Sequence, residues 1–208
     1  MAITEQLAAA DSGGGARITF EEFLALDTET ACAEWVGGEV IAMSPVGLKH
    51  QLIASFLHTL IVNFLDRRPL GTAVFAPFVM HLADQQRGRE PDILFVAAAH
   101  TDRFRDNYLD GPADLAVEIV SPESGARDRG DKFAEYEQAG VAEYWIIDPI
   151  RVDASFYQLQ GNGTYRRIAP NADGWYHSRV LDGFRLRPSW LWEDPLPSVS
   201  AVGAQIAG

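Results

Sequence analysis

Two apolar segments that each carry one carboxylate decide how this chain folds. Residues 89–96 read REPDILFV and residues 115–122 read LAVEIVSP, so Asp92 and Glu118 are flanked by large aliphatic side chains. Runs of this kind are typical of strands that are buried in a sheet. Burying an unpaired carboxylate is costly, so two of them on neighbouring strands need a cation. A divalent metal ion would satisfy both, and Lys132 in the next helical segment would add a positive charge.

The composition narrows the class of protein. The chain has 208 residues and 47% of them are hydrophobic, so it can build one sizeable core and we expect a single folded domain. With 17 basic and 29 acidic residues, the net charge of -12 repels polyanions at long range and counts against broad affinity for nucleic acids. A local group of cations can still contact phosphate, and Arg127, Arg129 and Lys132 are the candidates for such a basic lip.

Three parts are expected along the chain. Residues 1–16 are predicted to be a flexible N-terminal lead, residues 17–194 the folded domain, and residues 195–208 a flexible C-terminal tail. Cys32 is the only cysteine, which excludes an intrachain disulfide and a zinc site built from thiolates. The first residues lack the pattern of a signal peptide and no long apolar run follows, so we expect a cytoplasmic protein without a membrane span.

The hydrophobic pattern predicts an α/β domain with helices flanking a sheet. Apolar residues recur at helical spacing over residues 49–65, and residues 128–139, closed by Gly140, predict another helix. A hairpin is predicted over residues 34–43, with Gly37 and Gly38 as its turn. The remaining apolar segments predict strands over 73–82, 91–96, 115–120, 144–148, 152–159 and 165–168, with a last one near Phe184. The order is therefore helix, three strands, helix and strand, followed by extra C-terminal strands.

Asp92 and Glu118 are the candidate ligands of a metal ion. They lie near the start of one predicted central strand and inside the next, so adjacent strands can bring both carboxylates to one cation. Lys132 lies in the first turns of the following helix and can point back toward the end of the Glu118 strand. Oxygen ligands favour Mg²⁺ or Mn²⁺, and a metal with a lysine beside it suits the hydrolysis of phosphodiester bonds. On spacing alone, solvated or internally paired carboxylates are the other explanation of the pattern.

Several short motifs follow one another in a recognisable order. They are the Pro-Asp pair at 91–92, VEIVSP at 117–122, DRGDK at 128–132 and EYWIIDP at 143–149. From residue 18 to residue 192, the chain resembles a bacterial family of restriction-endonuclease-like proteins within the PD-(D/E)xK nuclease superfamily. The resemblance implies a restriction-endonuclease-like αβββαβ core, with a mixed central sheet flanked by helices.

The same resemblance implies roles for individual residues. Asp92, Glu118 and Lys132 are the implied catalytic residues, and the two carboxylates are the implied metal ligands. Val120 stands where the superfamily usually has its lysine, two residues after the glutamate, but in this family the lysine lies in the following helix, as Lys132 does. Glu39 matches an acidic position near the family's first strands and is the candidate for a further metal ligand. A solvated carboxylate beside the glycine turn is the alternative for Glu39.

Two further groups of residues have simpler interpretations. His50 and His58 on the long predicted helix are interpreted as surface or partly buried polar residues rather than general bases. Trp175, Trp190 and Trp192 are interpreted as core or dimer-surface groups. The apolar C-terminal strands and these tryptophans predict a homodimer, whose two-fold symmetry suits the cleavage of both strands of a duplex.

The function expected from the sequence is that of a metal-dependent endonuclease that hydrolyses DNA phosphodiester bonds with Mg²⁺ or Mn²⁺. The alternative is a non-catalytic interaction module or nucleic-acid-binding scaffold that keeps a degenerate nuclease fold. The acidic composition and the missing lysine at Val120 favour that alternative.

Overall fold

The structure is a computed structural model that describes residues 17–26 and 32–206, so the predicted flexible lead lies outside the described residues. The helices of the described part are α1 (Phe20–Leu24), α2 (Leu48–Leu65), α3 (Gly125–Arg129), α4 (Asp131–Ala139) and α5 (Val199–Val202). Its strands are β1 (Ala33–Val36), β2 (Glu39–Ala42), β3 (Gly71–Phe75), β4 (Val79–Leu82), β5 (Arg87–Arg89), β6 (Ile93–Ala97), β7 (Tyr108–Asp110), β8 (Leu115–Ile119), β9 (Glu143–Asp148), β10 (Asp153–Leu159), β11 (Tyr165–Ile168), β12 (Tyr176–His177) and β13 (Arg185–Leu186).

A six-stranded mixed sheet forms the centre of the domain, in the order β11-β10-β9-β8-β6-β3. Strand β6 pairs antiparallel with β3 and β8, whereas β8 runs parallel to β9. A parallel pair needs a crossover connection, which α3 and α4 supply. The order α2, β3, β6, β8, α3–α4, β9 is the predicted αβββαβ core, and β10 and β11 extend it as the predicted C-terminal strands. The predicted α/β fold class is confirmed.

Both faces of the central sheet are buried. On one face, α2 packs the apolar stripe predicted from its helical spacing, together with alternate residues of β6, β8 and β9. On the other face, Tyr136 of α4 packs against Tyr144 and the remaining residues of the same strands. Strands covered on both sides read as nearly continuous apolar runs, which is why the central strands could be recognised. Among the described helices, none is long and apolar enough to cross a membrane.

A second, five-stranded sheet has the order β2-β1-β5-β4-β7. The prediction of one strand over residues 73–82 is wrong, because β3 belongs to the central sheet and β4 to this second sheet. Pro77 lies between them, and proline lacks the N–H that a continuous ladder requires. The predicted hairpin is present as β1 and β2, and its turn glycines Gly37 and Gly38 both have positive φ angles.

The helix predicted over residues 128–139 is divided into α3 and α4 at Gly130. This residue has φ -114° and ψ -89°, which is not helical. A β-carbon there would lie 3.0 Å from the carbonyl oxygen of Ala126, so glycine permits the close turn. Helix α4 ends as predicted at Gly140, which adopts the left-handed conformation. The break places Lys132 in the first turn of α4.

Within the predicted C-terminal tail, the structure describes residues 195–206, and some of their side chains pack into the core. Val202 of α5 is 4% exposed and Ile206 is 2% exposed, and both belong to the core cluster beside α2. The backbone N–H of Arg185 donates to the carbonyl oxygen of Ile206 at 2.8 Å. Trp175 and Trp190 are also buried and pack edge to face, so they do not supply the exposed surface expected for a dimer.

Candidate functional site

Asp92 and Glu118 lie next to each other, beside the paired ends of the interior strands β6 and β8. Asp92 comes directly before β6, whose first residue, Ile93, pairs with Val117 of β8. The backbone N–H of Ile119 donates a hydrogen bond of 2.6 Å to Oδ2 of Asp92. This bond holds the Asp92 carboxylate beside the residue that follows Glu118, so the two candidate metal ligands lie together.

Glu118 is held from one side by α4. The residue is 4% exposed, and its Oε1 accepts hydrogen bonds from Nζ of Lys132 and from the hydroxyl of Tyr136, both at 2.8 Å. Lys132 and Tyr136 are four residues apart and therefore share one face of the helix. Among the described residues, no hydrogen bond reaches Oε2 of Glu118 or Oδ1 of Asp92. One oxygen of each carboxylate is thus available to a cation.

Lys132 is a buried cation at the centre of the site. It is 1% exposed, and its Nζ lies 2.8 Å from Oε1 of Glu118 and 2.9 Å from Oε1 of Glu34. Burial alone would lower the pKa of Lys132, but the charges of Glu118 and then Glu34 raise it above its ordinary value. The ammonium therefore stays charged in a place where water is excluded.

Glu34, which the sequence analysis did not single out, links the second sheet to this site. It is fully buried on β1, and Arg89 of β5 donates to its Oε2 at 2.7 Å. Arg89 also donates to the carboxylate of Glu135, at 2.8 and 2.9 Å. Lys132 and Arg89 together lower the pKa of Glu34 against the opposing effect of burial. A chain of alternating charges thus runs from α4 through the second sheet and back to α4.

Carboxylates outnumber cations around Glu118. Burial, and then the charges of Asp128 and Asp92, raise the pKa of Glu118 to about 8, although Lys132 acts in the opposite direction. Burial also raises the pKa of Asp128, whose Oδ1 has no hydrogen-bond partner among the described residues. A further positive charge would stabilise this group. The free donors are carboxylate oxygens, so the residues fit Mg²⁺ or Mn²⁺.

The structure brings Asp92, Glu118 and Lys132 together but leaves Glu39 apart. Glu39 is exposed at the first position of β2, where it pairs with Val36 next to the turn. Glu34 is the hairpin carboxylate that contacts Lys132 instead. In the ranges 17–26 and 32–206, no group of three or more Asp, Glu, His or Cys side chains is placed to hold a metal ion. Mg²⁺ commonly binds one or two carboxylates and completes its shell with water and phosphate oxygens.

His50, interpreted from the sequence as a surface or partly buried polar residue rather than a general base, is buried and reaches the site from α2. It is 7% exposed, and its Nε2 lies 3.2 Å from Oδ2 of Asp92. The sequence did carry a signal, because His50 lies three residues before Ile53 and seven before Leu57 on the apolar stripe. His50, Asp92 and Phe75 line a pocket of ≈ 280 Å³, which gives access to the Asp92 carboxylate.

The predicted basic lip is only partly present. Lys132 is buried, and Arg129 donates to Oδ2 of Asp148 at 2.7 Å. Nε of Arg127 lies 3.9 Å from Oε2 of Glu34, so this guanidinium also faces a carboxylate. Carboxylates of the protein partly neutralise these cations. Their attraction for the phosphates of a nucleic acid is therefore weaker than the sequence suggests.

Comparisons with known proteins agree with this fold. Residues 20–189 match the sequence model of the Uma2 family, which is described as "Putative restriction endonuclease". Over 135 residues, 64% of this chain, the sequence is 27% identical to an uncharacterized protein from Synechocystis sp., 68% of which is covered. The crystal structure of a "putative nuclease belonging to DUF820" from Anabaena variabilis matches with a TM-score of 0.70 at 19% identity. That match covers 84% of this chain and 97% of the other.

Proposed function

This chain belongs to the Uma2 family of restriction-endonuclease-like proteins, and we propose that it is a metal-dependent endonuclease that hydrolyses DNA phosphodiester bonds. The observation that carries the proposal is the contact of the buried, charged Lys132 with Glu118, beside the Asp92 carboxylate. In metal-dependent phosphodiester hydrolysis, a bound cation activates the phosphate and the attacking water, and a fixed positive charge stabilises the transition state. Asp92 and Glu118 suit the first need, and Lys132 suits the second.

Each residue has a distinct role in the proposed reaction. Asp92 and Glu118 would hold Mg²⁺ or Mn²⁺, which supplies Lewis-acid activation of the phosphate and of the attacking water. The N–H of Ile119 fixes Asp92, and the hydroxyl of Tyr136 fixes Glu118. Lys132 stabilises the negative charge that builds up on the phosphate in the transition state. Its burial strengthens this effect, because charges interact more strongly where water is excluded.

DNA is the proposed substrate, and a homodimer is the proposed assembly. The family's description as restriction endonucleases supports DNA. Two sites related by a two-fold axis would suit a duplex, whose strands are themselves related by such an axis.

A non-catalytic scaffold is the second candidate, and one observation favours it. The ammonium of Lys132 is engaged by both Glu34 and Glu118, so it could serve only to neutralise two buried carboxylates. A scaffold of this kind would keep the fold and the ion pairs without cleaving DNA.

Incubation of the purified protein with supercoiled plasmid separates the two candidates. We expect conversion to nicked or linear DNA in Mg²⁺ or Mn²⁺ and no conversion in EDTA. The scaffold instead predicts that the plasmid stays supercoiled with either metal, even where a gel shift shows that the protein binds DNA.

A further inference from the structure

We propose that the pocket beside Asp92 binds an unpaired nucleobase, which stacks on the exposed ring of Phe75, so that the protein favours single-stranded DNA over a perfect duplex. The inference rests on the proposed function, since it names the form of DNA that the same site takes. The pocket has a volume of ≈ 280 Å³, and its lining includes Phe75, Asp92 and two histidines of α2, His50 and His58. A base in this pocket would belong to a nucleotide next to the phosphodiester bond at Asp92.

Phe75 differs from the other phenylalanines of the chain in its exposure. All eleven lie in the described ranges, and the other ten are buried or half-buried, whereas Phe75 is 60% exposed. The backbone holds it beside the site, because Phe75 pairs with Ile93 and the N–H of Ala76 donates to the carbonyl oxygen of Asp92 at 3.1 Å. Nucleic-acid-binding proteins use exposed aromatic rings of this kind as surfaces on which bases stack.

His58 supports the Phe75 ring from α2. The two rings pack edge to face, with their centroids 4.7 Å apart and an angle of 64° between their planes. Burial lowers the pKa of His58 below its ordinary value, which keeps the imidazole uncharged at neutral pH. A ring that already has a packed neighbour loses little freedom when a flat ligand stacks on it, so less of the binding free energy is lost to ordering.

The charge and the size of the pocket suit a base better than a phosphate. None of the described residues that line it is a lysine or an arginine, and Asp92 is its one carboxylate. A carboxylate repels a phosphate group, whereas a nucleobase is uncharged. Ligand pockets usually have volumes of about 300–1,000 Å³, so this pocket lies at the small end and suits a single flat group.

The acidic composition makes a base contact important for affinity. Phosphate contacts usually supply much of the affinity for nucleic acids. Here the net charge is -12, and both Arg127 and Arg129 face carboxylates. Stacking on an aromatic ring adds affinity without a cation. The bases of a perfect duplex are stacked inside it, and extruding one costs free energy, so the pocket favours a strand whose bases are already unpaired.

Fluorescence anisotropy of labelled oligonucleotides in EDTA tests the pocket without metal or cleavage. The probes are a thymidylate single strand and an abasic strand of the same length, which carries the same charge but no bases. We expect the wild-type protein to bind the thymidylate strand about tenfold more tightly than the abasic strand. A duplex of thymidylate and adenylate strands should also bind more weakly than the thymidylate strand alone.

Variants at position 75 separate stacking from a general apolar contact. Phe75→Ala and Phe75→Leu should each remove most of the preference for the thymidylate strand and leave the affinity for the abasic strand unchanged. Phe75→Tyr should retain the preference, because it keeps an aromatic ring. Ile150→Ala is the matched control, because Ile150 is 59% exposed but is not among the residues that line the pocket. This control should bind both strands as the wild-type protein does.

Two results would overturn the base pocket. One is equal affinity of the wild-type protein for the thymidylate and abasic strands, and the other is a Phe75→Leu variant that keeps the wild-type preference. Neither result bears on the endonuclease activity, which plasmid cleavage measures separately. A preference that depends on Phe75 in a protein that fails to cleave plasmid would support the pocket and overturn the enzyme. If Phe75→Ala dissociates a dimer in light scattering without changing oligonucleotide binding, Phe75 contacts a second copy of the chain and the base pocket is wrong.

Discussion

At the scale of single residues, the two lysines of the chain make a natural comparison. Lys49 is exposed, whereas Lys132 is enclosed by Glu34 and Glu118. Had Lys132 extended into solvent as part of an ordinary helix pair, its loss would cost only a few tenths of a kcal/mol. Its burial between two carboxylates means that catalysis and stability are coupled at this residue.

Replacing Lys132 should therefore destabilise the protein strongly. We expect Lys132→Met to lower the free energy of unfolding by about 3–5 kcal/mol, because it leaves buried carboxylates without their cation. Lys49→Met is the control and should change it by no more than about 0.5 kcal/mol. Urea denaturation of both variants measures the difference. Equal stabilities of the two variants would show that the Lys132 ion pairs contribute nothing to the free energy of unfolding.

The raised pKa of Glu118 predicts how metal affinity depends on pH. Because the pKa is about 8, well above the ordinary value of 4.5, the folded protein holds a proton on Glu118 at lower pH that the cation must displace. Mn²⁺ affinity should therefore rise about tenfold per pH unit from pH 6 to pH 8 and level off above that range. Calorimetry at several pH values measures this, and Glu118→Gln should flatten the curve. A Mn²⁺ affinity independent of pH in the wild-type protein would contradict the assignment of Glu118 as a metal ligand with a raised pKa.

At the scale of elements, the packed C-terminus has a measurable consequence. Ile206 is 2% exposed in the core cluster beside α2, so Ile206→Ala should cost about 2–5 kcal/mol of unfolding free energy. Ile150, which is 59% exposed, provides the control, and Ile150→Ala should stay within about 0.5 kcal/mol. Chemical denaturation of the two variants makes the comparison. A loose tail would give the same small effect at both positions.

The elements that could be predicted are those whose pattern is local. The apolar stripe of α2 and the continuous runs of β6, β8 and β9 each carry their own signal. Strands β5 and β7 could not be predicted, because each has three residues and reads RGR or YLD. Strand β5 pairs with β1 as well as with its neighbour β4, and β7 pairs with β4, so each has a partner that is distant in the sequence. Strand formation there depends on tertiary contacts rather than on local propensity.

In the candidate site, too, residues marked by a local sequence pattern could be predicted, whereas residues placed by tertiary contacts could not. Asp92, Glu118 and Lys132 could be named in advance because they fall on central elements within recognisable motifs. Glu34 and Arg89 could not, since only the docking of the second sheet brings Glu34 to Lys132 and Arg89 pairs with Glu34 there. An acidic residue in a short hairpin is usually solvated, so nothing local distinguished Glu34 from Glu39.

At the scale of the whole molecule, we predict a homodimer. The tryptophans do not supply its surface, but large apolar side chains are exposed elsewhere in the described part, among them Leu48, Leu52 and Phe75. Exposed apolar groups of this size are often covered by a partner. Light scattering at high protein concentration should give twice the monomer mass. A monomer mass under those conditions would show that the prediction of a homodimer is wrong.

The central claim is that Asp92 acts in a metal-dependent reaction and not merely in folding. Asp114 offers a matched control, because it also accepts a backbone N–H, that of Ala97 at 2.7 Å, and also faces a histidine. The most direct test compares Mn²⁺-dependent plasmid cleavage by Asp92→Asn and Asp114→Asn, with circular dichroism to show that both are folded. The account predicts that Asp92→Asn abolishes cleavage and that Asp114→Asn retains it. Cleavage at the wild-type rate by folded Asp92→Asn would contradict the account.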